Sequence, residues 1–192
     1  MAFLDTAQFR TSLRLVRLSL LVGAAFVTSA AWAQEGSSRE YQIKAAFLYN
    51  FVQFVKWPPD AFTSPGAPLS IGILGDDPFD GALEDTIHGE AVDGHKLVVM
   101  HSHSLDDLRG CQLIFVARSE EGQMVQILST TGPRPVLTVS EIQSFAENGG
   151  DIDFYIAEGK VRFEINAGAA RHAGLKISSQ LLALGRIVGG EN

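Results

Sequence analysis

The chain has 192 residues, 46% of them apolar and 19% charged, with a net charge of −7. That length makes one ordinary domain, and the acidic balance excludes a nucleic-acid binder, which needs clustered Lys and Arg to meet phosphate. Long-range attraction to an anionic membrane surface is excluded on the same ground.

The first 33 residues read as a secretory signal peptide. Arg10, Arg14 and Arg17 form a positive n-region, Leu18 to Thr28 an apolar h-region, and Ala31-Trp32-Ala33 a cleavage box, so cleavage is expected before Gln34. The apolar run is shorter than the roughly 20 residues of a membrane-spanning helix. The leader holds three Arg and one Asp, so its loss takes the net charge from −7 to −9. Residues 34–192 are then a single exported domain.

Ser37 followed by Glu40 fits a capping box and predicts a helix over Tyr41 to Trp57. Phe47, Phe51, Phe54 and Val55 share one face, while Tyr41, Ala45, Leu48 and Val52 cover the next. Pro58-Pro59 ends it. A helix apolar nearly all round is either central to the core or half core and half interface.

Short apolar runs then alternate with helical signals. Leu69–Leu74 is a predicted strand. The turn Gly75-Asp76-Asp77-Pro78 follows, with Asp77 as N-cap of a helix running to about Ile87. Lys96–His101 is a second strand, and Ser104 caps a short helix. Gln112–Ala117 is a third strand, and Ser119 caps a helix through Leu128. Pro135–Val139 is a fourth strand, with Ser140 and Gln143 as a capping box. This rhythm predicts an α/β fold: one three-layer domain with a mainly parallel sheet and helices on both faces. Asp151–Ala157 and Lys160–Ile165 flank Glu158-Gly159 and predict an antiparallel C-terminal hairpin. Asn166 caps a short helix that Gly174 ends, and Ser178 caps a last helix, Ser179–Val188.

Four features carry chemistry. Asp76 and Asp77 sit where the first strand ends, the place where open α/β sheets gather ligands. Two carboxylates there suit a cation or an amine, although Asp before Pro is also ordinary turn chemistry. His101-Ser102-His103 with Asp106 and Asp107 resembles a metal-ligand cluster. A surface loop is the plainer account, and no metal is expected. Arg162 and Glu164 alternate with Val161, Phe163 and Ile165, so both charges lie on one strand face. They form either a simple surface pair or the lining of a cleft where Arg grips a carboxylate or a partner backbone. Cys111 is the only cysteine, so no disulfide forms within one chain, and its apolar context, Gly110 to Phe115, predicts burial. Nucleophile elbows and dinucleotide or phosphate loops are absent from the sequence, so no catalytic residue and no cofactor are assigned.

From Tyr41 to Val188 the chain resembles the YfiR-like family of exported bacterial proteins. The matching pieces are Lys44 to Phe51 with Lys56-Trp57-Pro58, Leu74 to Phe79, Cys111 to Phe115, Val136 to Ser140, Val161 to Asn166, and Ala173 to Leu182. The resemblance implies a periplasmic α/β protein without catalytic activity. It would repress an inner-membrane diguanylate cyclase, or a sensor kinase, by engaging its periplasmic domain, and so control cyclic di-GMP and biofilm. It also implies a homodimer, a possible small-molecule ligand, and a role in ligand contacts for Arg162 and Glu164. Phe47, Phe51 and Trp57 on the first helix are further candidate contacts. Family members often carry a second cysteine where this chain has Gly72, so redox sensing within a monomer is not expected here. A periplasmic carrier or sensor of a small solute, using Asp76, Asp77, Ser119 and Ser140, is the alternative. A hydrolase with a triad assembled in space is a weaker third.

Overall fold

Strands of alternating pattern assemble into an eight-stranded sheet in the computed structural model, which describes residues 38–189. The expected signal peptide, its cleavage point and the Ser37 cap lie outside the described residues. The strands are β2 (Leu69–Leu74), β3 (Ala91–Val92), β4 (His95–Ser102), β5 (Leu113–Val116), β6 (Leu137–Ser140), β7 (Ile152–Ala157), β8 (Lys160–Asn166) and β10 (Arg186–Val188), in the order β10-β8-β7-β6-β5-β2-β4-β3. From β4 to β7 every pairing is parallel. The β7–β8 hairpin is antiparallel, and β3 pairs antiparallel with the edge of β4. The expected α/β architecture with a C-terminal antiparallel hairpin is the one observed. The hairpin turn is Glu158-Gly159, both with positive φ, as a tight two-residue connection requires.

The chain leaves β2, pairs next on one side as β4, then crosses to the other side as β5. The two carboxyl ends beside this crossover make the topological switch point of the sheet. Gly75 lies there with φ of 92°, and a Cβ added to it would come within 2.3 Å of Ser119 Oγ. Only a residue without a side chain fits that approach.

Period-two alternation sorts the side chains to two faces. Ile71, Ile73, Phe115, Val139, Phe154 and Phe163 point to the first face, which is apolar across its width. It packs against α1 (38–54), α2 (Ala82–Ile87), α4 (Ala167–His172) and α5 (Ser179–Leu182). A fully buried Phe or Leu contributes roughly 1.5–3 kcal/mol, so this layer dominates the stability of the fold. Leu74, Ile114 and Val116 point to the second face. They pack beneath Leu108 of a short 3-10 turn, Ile127 of α3 (Met124–Thr131) and Phe145.

Several boundaries differ from the sequence expectation, among them the Ser119-capped helix, which is a 3-10 turn over Arg118–Gln123 followed by α3 to Thr131. The first helix stops at residue 54, because Val55–Lys56 (β1) pairs antiparallel with Lys176–Ile177 (β9). Asp77 is not a helix cap: its Oδ1 accepts from Phe79 N at 2.8 Å, and α2 begins only at Ala82. The intervening Phe79 is buried, with its ring 4.9 Å from that of Phe115, so core packing overrides the cap signal. The segment after β6 forms turns instead of the helix that Ser140 and Gln143 suggest. The last helix is only four residues, and β10 replaces its second half. Gly185 allows this change, since a Cβ there would lie 2.6 Å from the Phe163 ring.

Candidate functional site

The antiparallel register of the hairpin sets Asp153 opposite Glu164 and Tyr155 opposite Arg162. All four project from the second face. β10 then places Arg186 beside Glu164. Arg162 and Glu164 therefore share a face as the alternation predicts, but they do not pair with each other. Glu164 is buried and accepts from the Arg186 guanidinium, which also lies 5.7 Å from the centre of the Tyr155 ring. Arg162 is exposed. The result is an exposed Arg162 guanidinium beside a buried carboxylate, Glu164, that pairs with the exposed Arg186, and beside a half-buried tyrosine.

Asp153 is the least comfortable member of this group. It is buried, its Oδ2 accepts from Phe145 N at 3.1 Å, and its Oδ1 is buried with no hydrogen-bond partner. Burial pushes its carboxyl up to about 7, against the Phe145 hydrogen bond, with smaller upward contributions from Glu147 and Glu141. Asp151, two residues earlier, is better served. Its Oδ2 accepts from both the N–H and the hydroxyl of Thr138 at 2.7 Å, which joins β6 to the start of β7. Burial still raises it to about 6.

The N-terminal segment holds the aromatic candidates differently, Phe47 and Phe51 on α1 and Trp57 just after β1. Phe51 is wholly buried, its ring centre 5.7 Å from that of Phe154 and 5.1 Å from that of Phe163. Phe51 is therefore a core residue of α1 and not, as the sequence suggests, a side chain available for direct contact. Phe47 is half-buried against Phe51, Phe154 and Phe163. Trp57 is also half-buried, and its indole N–H donates to Gln112 O at 2.9 Å. Lys44, a charged residue on the largely apolar α1, is buried. It pairs with Glu141, which also accepts from Tyr41 Oη at 2.9 Å. The only sequence signal for this pair is that Lys44 stands one turn before Leu48 on the inward side of the helix.

At the switch point the polar groups satisfy one another. Ser119 Oγ accepts from Asp76 N at 2.9 Å, and buried Glu120 accepts from Gln123 Nε2 at 2.9 Å. Ser140 Oγ donates to Val116 O and accepts from Ile142 N. The hydroxyls suggested for a solute are thus used by the backbone. Asp76 and Asp77 are exposed, and Asp77 faces His101. The loop cluster also separates: Asp107 accepts from Ser102 Oγ, Asp106 pairs with Arg109, and His101 faces Asp77 and Glu84. Cys111 is buried and its thiol is pushed up to about 11 by that burial, which makes it unreactive.

Among the described residues no helix is long and apolar enough to cross a membrane. No curated protein matches the chain. A family model described as YfiR/HmsC-like, known for periplasmic regulators of diguanylate cyclases, matches residues 41–186, which is most of the chain and nearly all of its sheet. The hairpin, the switch point and α1 from Tyr41 onward all fall within that match, and the chain belongs to the YfiR/HmsC-like family.

Proposed function

We propose that this protein is an exported, non-enzymatic regulator that binds the periplasmic sensor domain of an inner-membrane diguanylate cyclase and holds it inactive. The family match over residues 41–186 carries this reading. The hairpin supports it from the physical side. Strands β7, β8 and β10 present an exposed Arg162 beside buried Glu164 and Asp153, a charged arrangement that contributes little to folding and suits contact with a partner. The repressor acts by population: it binds the inactive state of the sensor better than the active one, and a hundredfold difference in affinity shifts the balance by about 2.7 kcal/mol. Exposed Arg162 and half-buried Tyr155, Phe47 and Trp57 are the proposed contacts.

Two measurements test this together. Deleting the gene should raise cellular cyclic di-GMP, and the purified mature chain should bind the sensor domain of a cyclase from the same organism. Unchanged cyclic di-GMP with no detectable binding overturns the reading.

A further inference from the structure

We propose that Asp77, Glu84 and His101 form a binding site for a first-row transition-metal dication, with Zn2+ or Co2+ as suitable probes. Three separate elements converge here. Asp77 comes from the turn after β2, Glu84 from α2, and His101 from the carboxyl end of β4. One ligand atom from each lies within 4.8 Å of the other two. Ligand atoms around one ion at about 2.1 Å stand roughly 3.4 Å apart, so small rotations of these half-open side chains close the set.

With a neutral imidazole the local hydrogen bonding is incomplete, and a metal cation would complete it. His101 Nε2 lies 2.7 Å from Glu84 Oε1, and Nδ1 lies 3.6 Å from Asp77 Oδ2. A neutral imidazole donates through one ring nitrogen only, so one carboxylate then faces a lone pair. The other Glu84 oxygen, Oε2, is buried with no hydrogen-bond partner. A buried carboxylate oxygen without a donor costs free energy that a metal ion recovers. Asp77 is already oriented for the task, because its Oδ1 accepts from Phe79 N and leaves Oδ2 toward the histidine. The side chains are 26–44% exposed, which leaves an entry path and room for water to complete the coordination.

Mixed imidazole and carboxylate ligation selects the ion class. Ca2+ and Mg2+ favour oxygen-only shells, whereas one nitrogen with two carboxylates suits Zn2+, Co2+ or Mn2+. The adjacent sequence cluster misdirects, since His103, Asp106 and Asp107 do not join this group. The inference stands apart from the regulatory reading, and each can fail without the other.

The test uses the mature chain with any affinity tag removed and metals stripped by chelation. Calorimetry with ZnCl2 should show one site per chain at about micromolar affinity or tighter. Co2+ should add visible absorption bands, and Mg2+ and Ca2+ should give no heat. H101A and E84Q should each weaken Zn2+ binding at least about tenfold, while H103A should leave it unchanged. Glu84 is partly exposed, so E84Q keeps the fold if H101A does not. Absence of saturable Zn2+ binding, or binding that survives E84Q, overturns the site.

Discussion

The second face of the sheet divides into two unlike halves. Over β2 and β5 it is apolar: Leu74, Ile114 and Val116 meet Leu108, Cys111, Ile127 and Phe145. Over β7, β8 and β10 it carries Asp153, Tyr155, Arg162, Glu164 and Arg186. β6 lies between and is transitional, with Thr138 and Ser140 facing the same way and fully hydrogen-bonded to the backbone or to Asp151. One sheet thus supplies packing on one side and recognition chemistry on the other. Buried charge is tolerated on the second half because the first, together with the whole opposite face, provides the stability.

The largest effects belong to the apolar half. Phe145 is completely buried under the turn that follows β6, and Phe145→Ala should cost about 3–5 kcal/mol in denaturant unfolding. A loss under 1 kcal/mol would mean that this half is loosely packed and would blunt the contrast. Next comes Gly72→Cys. A Cβ at Gly72 lies 3.0 Å from Cys111 Sγ, which is about the separation of a Cβ and the far sulfur across a disulfide. Oxidation should then leave no free thiol per chain and add up to about 3–4 kcal/mol by loop closure, reduced by the crowding of Leu108 at 3.2 Å. A thiol count that stays at two after oxidation would show that the strand cannot yield. The spacing between position 72 and Cys111 suits a cysteine pair of which this chain has one member.

The same division explains what could be read from the sequence. Alternation along Leu69–Leu74, the Glu158-Gly159 turn and the Asn166 cap are local signals, and each gave the right element. Arg162 and Glu164 were placed on one face because a strand permits nothing else. The pairing of Glu164 with Arg186 was hidden, because it depends on a short final strand that local preference assigned to a helix. Lys44 with Glu141 and the Asp77, Glu84 and His101 group were hidden for the same reason: they join residues from distant elements, and nothing local marks them. Asp77 shows the opposite failure, a strong cap signal overruled by the burial of Phe79.

A third comparison of the halves is by pH. Asp153 is raised to about 7 in the folded state, well above an ordinary unfolded carboxyl near 4. Between those values the folded chain holds the proton and the unfolded chain does not, so stability falls as pH rises from about 4 to about 7. Above 7 the destabilisation is complete. Asp151 contributes in the same direction up to about 6. Asp153→Asn keeps an acceptor for Phe145 N and removes the charge. It should raise the Tm at pH 8 by a few degrees and leave it nearly unchanged at pH 4. Equal shifts at both pH values would show that Asp153 titrates alike in the folded and unfolded chains, and the polar half would then be better solvated than its burial suggests.

The smallest effect on stability should come from the residue with the largest proposed effect on recognition. Arg162 is exposed and its neighbour Glu164 already has Arg186, so Arg162→Glu should change unfolding free energy by no more than about 0.5 kcal/mol. If the polar half is a recognition surface, the same substitution should weaken binding to the cyclase sensor domain at least about tenfold, because it removes a guanidinium donor and adds a repelling charge. Reversing Glu164 instead would disturb a buried carboxylate and its pairing with Arg186, and confuse folding with binding. Arg162 separates the two: a stable R162E protein that still binds the sensor with full affinity would move the contact surface away from the hairpin, to the half-buried aromatic residues of α1.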